Sequence, residues 1–181
     1  MRVLPRLSGP RLALTILALL IIAPAWAEDP VAEYEAVRRA SLKGIESLEV
    51  IVFGAKTDLG CRHASTEHIQ TEVEAQLERA GIRIGPGTGS YLLVTVTSIE
   101  HLEGLLCGFA VSVEVQQVVL LARDTRIITF GMTWQKSGLG VAATAGFPES
   151  LRHLLAELVD EFVTAYLEEN PKSSAHHSMS R

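Results

Sequence analysis

The sequence predicts an α+β domain: a mainly antiparallel sheet of about four to five strands packed by two main helices, in the order strand-helix-strand-strand-strand-strand-helix. Three observations carry this. From Phe109 to Arg123 apolar and polar residues alternate, which is the period of a half-buried strand. Two other segments repeat apolar residues every three to four positions, the period of a helix lying on something. Breaks rich in glycine, proline and short polar residues separate the segments, at Gly54–Cys61, Gly85–Gly89 and Asn170-Pro171.

Taken in order, residues 28–44 are charged and weakly periodic, with Val31, Tyr34 and Val37 on one side of a short helix. They read as an entry arm to a single domain over residues 45–171. Leu48 to Phe53 is β-branched and aromatic, a strand by length and composition. A helix follows from about Thr66 to Ala80. Ser65 caps its free amides, Ile69, Val73 and Leu77 form its apolar face, and Gly81 supplies the left-handed residue at its end. Ile82 to Ile84 begins a brief strand.

Three longer β segments come next: Tyr91 to Ile99, Phe109 to Arg123, and Ile127 to about Lys136. Asp124-Thr125 is the expected turn between the last two. It sets Leu121 opposite Ile128, Val119 opposite Phe130, Gln117 opposite Met132 and Val115 opposite Trp134, with those faces turned to the core. The final helix runs from about Glu149 to Glu168, with Pro148 in its first turn and Leu151, Leu155, Leu158, Phe162 and Tyr166 as its buried stripe. Residues 172–181 are polar, carry His176 and His177, and read as a disordered tail.

The start of the chain fixes its compartment. Residues 1–27 hold three arginines and no acid, an apolar stretch from Leu12 to Pro24, then Ala25-Trp26-Ala27. That order is an export signal cleaved after Ala27. The stretch falls short of the about 20 apolar residues that span a bilayer. A periplasmic or extracellular chain with no membrane span is therefore expected. Loss of Arg2, Arg6 and Arg11 takes the formal net charge from −5 to −8, and an acidic surface repels phosphate backbones. Nucleic acid is not an expected partner.

Two cysteines remain, Cys61 and Cys107, and an oxidising compartment favours their pairing. The alternatives are a thiolate at Cys61, beside Arg62 and His63, in a small secreted hydrolase or thiol enzyme, or a metal site from Cys61, His63, His101 and Cys107. The spacing Cys61-Arg62-His63 lacks the gap of common zinc clusters, and no metal or cofactor is assigned. Gly138-Leu139-Gly140-Val141-Ala142-Ala143 matches the dinucleotide string G-x-G-x-x-A, yet Asp160 falls inside the last helix rather than at the end of a parallel strand. Those glycines read as a strand-to-helix connection. Tyr91 and Trp134 are candidate recognition residues, since amphipathic aromatics dominate interface hot spots. For Trp134 a core position is the stronger expectation, because its expected partner Val115 is apolar.

The element order, with Leu48-Glu49-Val50-Ile51-Val52-Phe53, Val73 to Leu77, Ala80-Gly81-Ile82, Tyr91-Leu92-Leu93-Val94, Thr133-Trp134 and Phe162 to Pro171, resembles the small α+β domains of cell-envelope proteins. The TolB N-terminal domain and the CsgG-like secretion proteins are examples. The resemblance implies a non-catalytic binding or assembly role toward another envelope protein or component, and it carries over no catalytic residue.

Overall fold

The structure, a computed structural model, describes residues 30–54, 61, 65–86 and 89–171. The expected export signal, His63 and the tail with His176 and His177 lie outside the described residues. The chain divides into two units, Met1–Tyr34 and Glu35–Arg181. Of the first only Pro30–Tyr34 is described; the sheet and the helices packed on it belong to the second.

Helix α1 spans Pro30–Ala40, and none of its residues is buried. Strand β1 (Glu49–Gly54) leads to α2 (Thr66–Arg79), then β2 (Ser90–His101), β3 (Leu106–Leu121) and β4 (Asp124–Ala143); a 3-10 turn at Thr144–Gly146 runs into α3 (Phe147–Glu169). The four strands form one sheet in the order β1-β2-β3-β4. β2, β3 and β4 are antiparallel neighbours, whereas β1 pairs with β2 in parallel. Parallel strands need a crossover connection, and α2 supplies it. The expected strand at Ile82–Ile84 reduces to an isolated bridge between Leu48 and Ile84.

Helix α2 begins where the sequence places it. The Ser65 hydroxyl accepts from the His68 amide at 3.3 Å, and Gly81 takes φ +80° after the last turn. Its Ile69, Val73 and Leu77 join Leu151, Leu155, Leu158, Val159 and Phe162 of α3 on one face of the sheet, against Val50, Leu92, Val94, Val96, Val111, Val113 and Val115. Trp134 closes the far side of this layer, its ring 5.3 Å from that of Phe162 in an edge contact. The core also reaches into the segment expected to be an entry arm. Leu42 is fully buried, and Asn170 ties it to the end of α3 by donating to Leu42 O at 2.9 Å and accepting from Gly44 N at 2.7 Å.

Cys61 and Cys107 are disulfide-bonded and fully buried, with Cα atoms 5.7 Å apart. The bridge joins the β1–α2 connection to β3 across 46 residues of sequence. In the oxidised chain neither sulfur remains as a thiolate nucleophile or metal donor.

The glycine string has a steric explanation that corrects the expectation of a connecting loop. Gly138 and Gly140 lie inside β4, facing the core. A Cβ on Gly138 would meet Leu154 Cδ1 at 2.6 Å, and one on Gly140 would overlap the Phe109 ring. Glycine in a strand interior marks such close approach. Here it lets Phe109 lie flat across β4 and meet Phe147 edge-on, with ring centroids 5.4 Å apart.

Two outcomes follow from this packing. Gly140→Ala overpacks the Phe109 site and lowers stability by roughly 1–3 kcal/mol. In a Phe109→Leu background the loss is smaller, which a double-mutant cycle in urea measures. Tyr166 donates from its hydroxyl to Ile45 O at 2.7 Å, and burial raises its pKa above the usual phenol value. The unfolded chain therefore loses this proton first as pH rises. The contribution is complete below about pH 10 and declines as pH climbs through the folded-state value. Tyr166→Phe removes this alkaline limb from the pH dependence of unfolding.

Candidate interaction surface

Alternation along the strands gives the sheet two unlike faces. Inward positions on β2 and β3, from Leu92 to Ser98 and from Cys107 to Val115, are buried under the helices, and no outward position on these strands is buried. In a sheet with one wet face the outward residues are ordinarily polar. Here the middle of the outward face is so toward β4: Thr95, Ser112 and Ser137 sit in adjoining rows with Glu114, Gln116 and Gln135, and the Glu114 carboxylate accepts from Ser112 and Gln135 at 3.1 and 3.3 Å; in the same rows Leu93 and, on β1, Ile51 and Phe53 are apolar. Both ends are apolar instead.

At one end Ile99, Gly108 and Val141 form a row across β2, β3 and β4, followed by Thr97, Ala110 and Leu139. Leu139 is 86% exposed and Val141 74%. The β2–β3 turn adds exposed Leu102 and Leu105. It holds two non-glycine residues, Leu102 and Glu103, at φ 52° and 53°, where L side chains are strained. Thr144 fastens this turn, its hydroxyl donating to Gly104 O and its amide to Leu105 O at 3.1 Å.

At the other end the β3–β4 hairpin displays Val118, Leu120, Ile128, Phe130 and Met132, all about half exposed or more. This contradicts the register read from the sequence. The two-residue turn is Ala122-Arg123, since Leu121 pairs with Asp124. Val115 does pair with Trp134, but Gln116 pairs with Met132, so Thr133 is an extra residue in β4. A single insertion reverses which face every later residue occupies. Val118 then faces Phe130 and Leu120 faces Ile128 on the outward side, while Val119 opposes Thr129 on the inward side.

Side chains from within the hairpin and from outside it hold the bulge. Gln117 Nε2 donates to Thr133 Oγ1 at 2.7 Å and to Ser41 O at 2.9 Å, and Ser41 Oγ donates to Thr133 O at 3.1 Å. Arg38 Nη2 covers the next carbonyl of this edge, Gln135 O, at 2.7 Å. The middle of the β4 edge is thereby capped. At the hairpin tip, the Arg126 guanidinium and then its backbone amide hydrogen-bond to Asp124 and hold that carboxyl below its ordinary pKa, with N···O distances of 3.0 to 3.1 Å.

The two candidate recognition residues part company. Tyr91 lies on the outward face, with its ring 5.5 Å from Phe130 in an edge contact. Trp134 is 3% exposed on the inward face and belongs to the core. Of the residues considered for metal binding, Cys61 and Cys107 are bonded to each other and His101 ends β2 on the surface. The outward cluster at Val118, Leu120, Ile128, Phe130 and Met132 escaped the sequence reading, because strict alternation gave no sign of the bulge.

Charge is segregated from this face. The acids of α2 and α3 line the opposite side, where a groove between α1, α3 and β4 is ringed by Glu35, Asp160, Glu161 and Glu168. Lys136 sits there, 3.8 Å from Glu35 and 3.7 Å from Glu161, and Arg39 lies 3.1 Å from Glu168. Among outward positions from Tyr91 to Ile99, Ala110 to Leu120 and Ile128 to Val141, Glu114 is the one acid. Among the described residues, no helix is long and apolar enough to cross a membrane.

Gln117→Ala deprives Ser41 O and Thr133 Oγ1 of a donor. A loss of about 1–2 kcal/mol is expected, with faster amide hydrogen exchange at Thr133 and Trp134 than at Val111 and Val113; equal protection in the variant would show that the bulge is held by backbone geometry alone.

No protein-family model matches the chain, and no curated protein does. Among solved structures, a hypothetical protein of Chlamydia trachomatis is similar over 67% of this chain and 98% of its own, at 11% sequence identity and a TM-score of 0.44.

Proposed function

We propose that this chain is an exported, non-catalytic protein of the cell envelope that binds or assembles with another protein or envelope component through the helix-free face of its sheet. The observation that carries the reading is the outward placement of Phe130, Ile128, Met132, Leu139 and Val141 on a sheet whose other face carries the helices and the core. Exposed apolar clusters of this kind, rimmed by polar residues, mark an interaction site more often than an accident of composition. The buried disulfide suits an oxidising compartment. The export signal in residues 1–27 and the resemblance in element order to TolB N-terminal and CsgG-like domains point to the same setting.

Photo-crosslinking in cells tests this. A photoreactive residue at Phe130 or Leu139 is expected to give adducts, and one at Glu157 on the helix side is not; the mature chain should begin at Glu28 by mass spectrometry. Equal labelling from all three positions, or substrate turnover by the purified chain that disappears in Cys61→Ser, would refute the proposal.

A further inference from the structure

We infer that the partner of this face is a second copy of the same chain, the two sheets stacking outward face to outward face; the inference rests on the proposed assembly role and names its partner. Three features carry it.

The first is area. β3 has 16 residues, and at about 3.4 Å per residue it runs roughly 54 Å, while β2 to β4 span about 14 Å at about 4.8 Å between strands. The resulting footprint of roughly 750 Å² compares with about 800 Å² per partner in a standard stable interface.

The second is pattern. Along β3 and β4 the face reads apolar, polar, apolar: Phe130 and Ile128 at one end, Ser112, Glu114 and Gln135 in the middle, Leu139 and Val141 at the other. That order is the same from either end. A two-fold axis through the middle rows therefore sets apolar clusters on apolar clusters and leaves the hydrogen-bonding rows together, which is the self-complementarity an isologous contact requires. Two twisted sheets stack this way about 10 Å apart, with strands about 30° from parallel.

The third is charge. Most of the acids sit on the helices, Glu35, Asp160, Glu161 and Glu168 among them, and on the outward positions of β2 to β4 Glu114 is the one exception. Two copies approaching through their sheets keep those acids on the outside of the pair, separated by both sheets and screened by solvent. Approach through the helices would oppose them. Edge-to-edge pairing of β4 is obstructed at its middle, where Ser41 and Arg38 already occupy the carbonyls of Thr133 and Gln135.

Sedimentation velocity on purified residues 28–181, oxidised and without other proteins, provides the test. A monomer–dimer equilibrium with a dissociation constant of about 1–100 μM is expected. Phe130→Asp and Leu139→Asp, one at each end of the face, should each weaken it by about tenfold or more, while Glu157→Ala leaves it unchanged. Because both replaced side chains are exposed in the single chain, the variants should keep the far-UV spectrum of the parent. Radical footprinting of the unmodified chain gives a measure that needs no substitution: Phe130 and Met132 become protected as concentration rises through the dissociation constant. A chain that stays monomeric at about 1 mM, or a dimer indifferent to both aspartates, overturns the inference. If the chain is monomeric yet its Phe130 and Leu139 positions crosslink to a different envelope component in cells, the second-copy inference fails and the proposed function stands.

Discussion

Side-chain alternation binds each residue of a strand to one face, so one additional residue in β4 reassigns the residues from it toward the hairpin turn as far as the second register shift, at Leu120/Leu121. Thr133 is that residue. On its C-terminal side Trp134 packs against Phe162 in the core; on its N-terminal side Met132, Phe130 and Ile128 have crossed to the face without helices. The sheet thus has a conventional inner surface and an outer one apolar at both ends, and the apolar cluster at the hairpin end exists because of that reversal.

The reversal has an energetic consequence that the single chain does not recover. Fully burying an aliphatic or aromatic side chain is worth about 1.5–3 kcal/mol, so three half-exposed residues forgo roughly 3 kcal/mol. A domain holds only about 5–15 kcal/mol in all. Retaining the bulge under these conditions requires dedicated support, and Gln117, Ser41 and Arg38 provide it through hydrogen bonds from elements distant in sequence. Bulges of this sort behave as built features that re-aim side chains.

Much of the architecture was legible in the sequence because it is written locally. Ser65 and Gly81 bracket α2, the Leu151–Tyr166 stripe defines α3, and the two cysteines pair with each other. What escaped is non-local. The register of β3 and β4 depends on Gln117 reaching Ser41, 76 residues away, and no periodicity within the hairpin encodes that contact. The G-x-G string shows the same limit from the other side. Its spacing imitates a phosphate-binding turn, but its cause is the ring of Phe109 and the side chain of Leu154 lying where a Cβ would be. Of the candidate site, Tyr91 was visible as a recognition aromatic, while its neighbour Phe130 was assigned to the wrong face.

The connection lengths imply an order of assembly. β3 and β4 meet across a two-residue turn, and hairpins of this kind close in about 1–10 μs. β1 reaches β2 only after the chain from Gly54 to Ser90 has been gathered by α2, and such non-local pairing is slow. The sulfur bridge runs from that late-arriving segment to β3, the strand that is in place first. Oxidation therefore ties the segment with the longer closing loop to the hairpin, and without the bridge that segment is held to β3 by non-covalent contacts alone.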